Sequence, residues 1–141
     1  MSLTASAHTV PGSLRQEVLV SGRFLLETDE PAALGGDDTA PSPHELLPAA
    51  LAACASTTIA MYARTKGWQI GEIAVDVDYD HKAVPRRCET TVRIGGPLTE
   101  AQLERLLKVA ASCPVRRAIE GGIVFGERIE RLADTSIVAT G

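Results

Sequence analysis

The sequence predicts an α+β fold, and three observations carry that prediction. Glu72 to Asp80 and Cys88 to Ile94 alternate apolar and polar residues, the period of strands with one wet face. Ser42-Pro43-His44-Glu45 and Thr99-Glu100-Ala101-Gln102 are capping boxes, each set ahead of an apolar run and therefore each a helix start. The elements follow one another as strands, a buried helix, two strands, helices and a strand, an order that belongs to α+β. At 141 residues the chain is expected to form one domain, 1–141, around one core.

The elements can be justified in order. Gln16 to Val20 and Arg23 to Glu27 read as antiparallel strands joined at Ser21-Gly22, a tight hairpin connection. Asp29-Glu30-Pro31, Gly35-Gly36 and Asp37 to Pro41 then make a loop rich in turn formers. Ser42 caps the first helix, Pro43 suits its first position, and Gly67 stops it after Lys66. The run LLPAALAAC is apolar on nearly every face, so this helix is expected to be buried and central, with Pro48 bending it. In the next strand Ile73, Val75, Val77 and Tyr79 face one way, with Asp76, Asp78 and Asp80 opposite. Thr99 opens a helix with Leu103, Leu106, Leu107 and Ala110 on one side. Cys113-Pro114 begins a shorter helix that ends at Gly121-Gly122, and Ile123 to Ile129 is expected to return as a strand.

Composition excludes several function classes. The apolar fraction of 45% and charged fraction of 23% are those of a globular chain, not a disordered one. Fourteen Lys and Arg against 18 Asp and Glu leave a net charge of −4, with neither a basic stripe for nucleic acid nor a polybasic cluster for a membrane surface. The most apolar stretch, Leu46 to Met61, is interrupted by Pro48 and by Ser56-Thr57-Thr58 and reads as too short and too polar for a membrane span. No signal peptide is evident at the start, and three cysteines, an odd number, argue against a secretory disulfide framework. A cytoplasmic location is expected, where persistent cysteines are more often reactive or metal-bound than structural.

Two cysteines lie in informative surroundings. Cys113 sits at a helix start, where unpaired N–H groups and the helix dipole are expected to lower its pKa. Cys54 lies in mid-helix, so a thiolate there needs a cation from elsewhere in the fold, most plausibly an arginine. Against both stands the ordinary behaviour of free cysteine as a small buried hydrophobe. Cys88 lies beside Arg86-Arg87 on a strand and finds no partner in the sequence. The cysteines and the three histidines are too scattered for a zinc site, and no phosphate-binding glycine loop or G-x-S-x-G elbow is present.

The segment DEPAALGGDDTAPSPHELLPAALAACASTTIAMYARTKGW, followed later by SCPVRRAIEGG, resembles the OsmC/Ohr family: osmotically inducible protein C and the organic hydroperoxide resistance proteins. A Gly-Gly loop, a Pro-led Glu-Leu helix start, a small-residue run ending in Cys and a distant Cys-Pro occur in order, and the resemblance covers Arg15 to Phe125. It implies antiparallel sheets wrapped around a long buried central helix in an intertwined homodimer, with the active sites at the subunit interface. It further implies a thiol peroxidase without metal, haem or other resident cofactor. Cys54 then attacks an organic hydroperoxide, Cys113 resolves the sulfenic acid to a Cys54–Cys113 disulfide, and an external dithiol, lipoyl-type in some members, resets the pair.

The family also uses an arginine near the N-terminus to hold the thiolate. Counting back about twenty residues from the Gly-Gly loop favours Arg15, with Arg23 as the alternative. The family glutamate is a departure. In the hydroperoxide-resistance branch it directly follows the proline, ten residues before the cysteine; here His44 holds that slot and Glu45 comes one later. Glu45 also has a structural role in the capping box, and nine helical residues span about 13 Å, so it cannot reach Cys54 along one straight helix. If Glu45 serves the site, the partner subunit supplies it. The leading expectation is an organic hydroperoxide peroxidase; the alternative is a non-catalytic dimer that binds a hydrophobic small molecule in the same cleft.

Overall fold

A three-stranded antiparallel meander opens the chain, with β1 (Ala5–Thr9), β2 (Gln16–Val20) and β3 (Phe24–Thr28) in that spatial order. The computed structural model describes residues 2–133. The expected hairpin closes Val20 against Phe24, and Ser21 (φ 53°) and Gly22 (φ 70°) both take the left-handed conformation that the tight return needs. β1 is an addition to the expected strands. Its sequence, ASAHT, offers no large apolar residue, and it is placed by the ladder to β2, which pairs Ala5 with Val20 and Thr9 with Gln16.

Asp29 turns the end of β3 into an ordered loop. Its buried carboxylate accepts the Glu30 N–H at 2.8 Å, the Thr39 N–H at 3.0 Å and the Thr39 hydroxyl at 2.7 Å. Those hydrogen bonds, the Thr39 hydroxyl first, pull its pKa from 3.8 to about 2. Gly35 ends a short 3₁₀ turn with φ 94°, and a Cβ on Gly36 would stand 1.9 Å from the Glu30 carbonyl oxygen. The glycine pair is thus required by the loop's own path.

The loop delivers the chain to Ser42, where both halves of the expected capping box form: Ser42 N–H donates to Glu45 Oε1 at 3.0 Å, and Glu45 N–H donates to Ser42 Oγ at 3.4 Å. A single 3₁₀ turn, Pro43–Glu45, precedes α1 (Leu46–Lys66), which Gly67 closes with φ 70°. Pro48 falls in the first turn of α1, where a missing N–H removes no intrahelical bond.

β4 (Ile73–Asp80) and β5 (Arg87–Ile94) pair antiparallel, with Ile73 opposite Ile94 and Tyr79 opposite Cys88. α2 (Glu100–Ala110) begins at the Thr99 capping box, and α3 (Pro114–Gly121) begins at Cys113. The core is Ala55, Ile59, Leu106 and Ala110, with Tyr62, Trp68, Ile73, Val75, Val92 and Ile94 packed around it. The helical run Pro43–Lys66, 24 residues with an 18-residue window of mean hydropathy 1.5, is long and apolar enough to cross a membrane, more so than the sequence stretch suggested. Its buried residues are Ala55, Ile59 and Ala63, and the first two belong to the core shared with Leu106 and Ala110 of α2.

Two sequence expectations are corrected. The first half of α1 is not buried within one chain: Leu46, Leu47 and Leu51 are half-buried, and Ala49, Ala50 and Ala53 are exposed. Residues 123–129 form no strand. Ile123, Phe125 and Ile129 carry the right alternation, but among the described residues no strand pairs with them, and they stand exposed. Alternation favours a strand only where another strand supplies the hydrogen bonds.

Candidate active site: a cysteine pair beneath a helix start

α1 carries Cys54 half-buried at the edge of the core, one residue before the buried Ala55. α2 ends at Ala110, and the chain turns through Ala111-Ser112 so that Cys113, the residue that precedes the first turn of α3, enters the interior with 1% of its surface exposed. The Val115 N–H, in that first turn, donates to Cys54 Sγ at 3.5 Å across 61 residues of sequence. The Cys54 side chain is also a neighbour that acts on the Cys113 thiol. Two thiols and one helix start therefore share a single point of the fold.

The helix start acts differently from the sequence expectation. Burial raises the Cys113 pKa, and the neighbouring Cys54 adds to the rise; the Arg116 and Val115 N–H groups oppose it and lose. Desolvation outweighs the dipole because the sulfur is enclosed. The free N–H at the start of α3 is given to Cys54, the cysteine that had no help from its own helix. Sequence reasoning missed this contact; the Cys-Pro helix start signalled the donor, and only the fold names its acceptor.

Cys113 borders a cavity of 240 Å³ whose wall also includes Leu51, Ala55, Glu89, Leu107, Ala110 and Arg116, with Cys54 beside Ala55 but not part of the wall. Cys88, unplaced by the sequence, lines the same cavity from β5. Among the described residues no group of three or more His, Cys, Asp or Glu side chains is placed to hold a metal ion.

The sequence model of the OsmC-like protein family matches residues 35–128, which hold both cysteines and the glycine loop. The chain belongs to the OsmC-like family. No curated protein sequence matches it. Among solved structures it is similar to an osmotic stress induced and detoxification response protein of Psychrobacter arcticus, with 26% identity, a TM-score of 0.68, and 83% of this chain and 87% of that one covered. It is also similar to an organic hydroperoxide resistance protein of Legionella pneumophila (24% identity, TM-score 0.59, 86% and 90% covered). An OsmC-like protein of Mycoplasma pneumoniae shares the fold at 18% identity, with a TM-score of 0.69 and 86% and 89% covered.

The remaining expected site residues of this OsmC-like chain lie elsewhere within the subunit. Arg15 stands just before β2 and faces Glu27 at 4.0 Å, and Arg23 lies over the Phe24 ring at 4.5 Å; neither lines the cysteine cavity. Glu45 is engaged in the capping box, where the Ser42 N–H and hydroxyl hold its pKa below the usual range. His44 packs edge-on against Tyr79 and His81, with ring centres 5.5 and 5.1 Å apart. Glu45 and His44 border a separate groove with Pro48 and Tyr79. One subunit thus brings Cys54 and Cys113 together and leaves Arg15 and Glu45 apart from them.

Proposed function

We propose that this OsmC-like protein is a cysteine peroxidase that reduces organic hydroperoxides to alcohols in defence against oxidants. The observation that carries this reading is the Val115 N–H, two residues beyond Cys113, aimed at the Cys54 sulfur, so that both cysteines meet the same helix start. An N–H donated to sulfur is a stronger contact when the sulfur bears charge. The Cys54 thiolate attacks the distal peroxide oxygen, the O–O bond breaks, and the alkoxide takes a proton and leaves as alcohol, with Cys54 as sulfenic acid. Cys113 then attacks that sulfur, water leaves, and a Cys54–Cys113 disulfide remains. An external dithiol of the reducing cytoplasm restores both thiols, so the cycle uses no resident cofactor. Leu51, Ala55, Leu107 and Ala110 give the organic part of the substrate an apolar wall.

The working form is a homodimer. The exposed Leu25 and Leu26 of β3, the small-residue face of α1 at Ala49, Ala50 and Ala53, and the unpaired segment 123–129 are surfaces a second copy can cover. In that assembly Arg15 and Glu45 come to the cysteines from the partner subunit. The test is hydroperoxide turnover with a dithiol. Cys54→Ser abolishes it, and Cys113→Ser allows one turnover before Cys54 over-oxidises; equal steady-state rates in both variants and the parent protein contradict the assignment.

A second reading is a non-catalytic dimer that binds a hydrophobic small molecule in the same cavity. The engagement of Arg15 with Glu27, and of Glu45 with Ser42, favours it, because the auxiliary groups are already satisfied. Turnover with a dithiol excludes this reading.

A further inference from the structure

The cysteine cavity adjoins a second, larger space. Leu51, Cys88, Thr90 and Arg116 line both the 240 Å³ cavity that Cys113 borders and a groove of 620 Å³, so the two share a wall. Leu47, Leu51 and Ile119 give the groove an apolar floor. The leucines come from α1, which carries Cys54, and Ile119 comes from α3, which starts at Cys113. A hydrocarbon chain laid along this floor points its inner end at the cavity.

The charges along this path are sorted. Arg86 and Arg87, at the start of β5, border the groove and not the inner cavity. Arg86 Nε donates to the His81 carbonyl at 3.3 Å, and Arg87 lies opposite Asp80 in the β4–β5 ladder. Neither guanidinium has a carboxylate at ion-pair distance among the described residues. Arg116, which borders both spaces, is paired with Glu120 at 3.4 Å, and the wall of the inner cavity includes Glu89. An anion on this path therefore meets two uncompensated guanidinium groups at the outer end and a carboxylate at the inner one. The chain as a whole carries a net charge of −4, so the arginine pair is a local exception to a field that repels anions.

We propose that Arg86 and Arg87 are specificity-determining residues, which select hydroperoxides with a carboxylate at the far end of a hydrocarbon chain over neutral hydroperoxides. The inference rests on the peroxidase reading and deepens it. The carboxylate is held at the arginine pair, the chain lies on Leu47, Leu51 and Ile119, and the end that bears the peroxide is turned inward, away from the rim. The arginines stand at the end of the path remote from the reacting oxygen, so their contact with the carboxylate is the same in the bound substrate and in the transition state. The selection is therefore read in KM, with kcat little changed.

The test uses a matched pair of substrates. Linoleic acid hydroperoxide and its methyl ester differ only in the charge of the head group, and full-length protein is assayed on both in the same detergent with dithiothreitol as reductant. The proposal expects kcat/KM for the acid to exceed that for the ester by about fivefold at low salt, through KM, and the ratio to shrink as salt is added. In the double variant Arg86→Gln, Arg87→Gln the ratio falls to one or below, whereas the double lysine variant keeps the acid ahead. Measuring a ratio within one protein cancels differences in folded fraction between variants. A parent ratio of one at every salt concentration, or a preference that survives loss of both arginines, overturns the proposal and leaves the peroxidase reading standing. No turnover of either compound or of cumene hydroperoxide overturns both. The salt dependence is read on the parent protein and does not depend on how a variant folds.

Discussion

The two ends of this molecule are built on opposite terms. The unit from α1 to α3 closes on itself: Ile59 and Leu106 are fully buried, and α1, α2 and the β4–β5 sheet each cover the others. The β1–β3 meander has a complete ladder and no comparable core, and its Phe24 and Leu25 are 54% and 60% exposed. Hydrogen bonds alone give a small sheet little net stability, because the unfolded chain makes them with water. The first region is therefore a self-sufficient scaffold that holds the cysteines, and the second is a surface awaiting a cover. The cysteine pair lies wholly in the first, whereas Arg15 lies in the second.

The largest effect that tests this contrast comes from matched leucines. Leu106→Ala empties a fully enclosed position and is expected to cost about 2–5 kcal/mol in denaturant unfolding at every protein concentration. Leu25→Asp is expected to leave the unfolding of the isolated subunit within about 0.5 kcal/mol while it weakens self-association. Equal losses from both, independent of concentration, would mean that the meander has a core of its own. Gly36→Ala probes the joint between the regions. Its Cβ meets the Glu30 carbonyl at 1.9 Å, and we expect a loss of about 1–3 kcal/mol, read by the same unfolding. A neutral result would show that the loop carries no strain from one region to the other.

The smallest effect is the acid response of that joint. The Asp29 pKa is lowered in the folded protein from 3.8 to about 2, so its stabilising contribution is complete above about pH 4 and is lost as the pH falls through about 2. Asp29→Asn is expected to flatten this part of the stability–pH curve. An unchanged curve would place the acid sensitivity elsewhere.

What could be read from sequence divides along the same line. The starts of α1 and α2 were readable because a capping box is written in four consecutive residues, Ser42 to Glu45 and Thr99 to Gln102. β4 and β5 were readable because one face of each meets the core. β1 was not, since a strand placed by its neighbour's backbone needs no pattern of its own. Residues 123–129 misled for the converse reason: the pattern is present and no strand among the described residues pairs with it. At the site, the pairing of Cys54 with Cys113 followed from family likeness, but the Val115 N–H on Cys54 and the place of Cys88 in the cavity are products of tertiary packing. The fate of the Cys113 pKa also turned on enclosure, which no local signal reports.

The most direct test of the central claim is a thiol count on the reduced protein before and soon after one equivalent of an organic hydroperoxide, with peptide mapping of the product. The account predicts that two of the three thiols disappear and that Cys54 is found joined to Cys113. Three surviving thiols would contradict it, and the cavity would then be a binding site without redox chemistry.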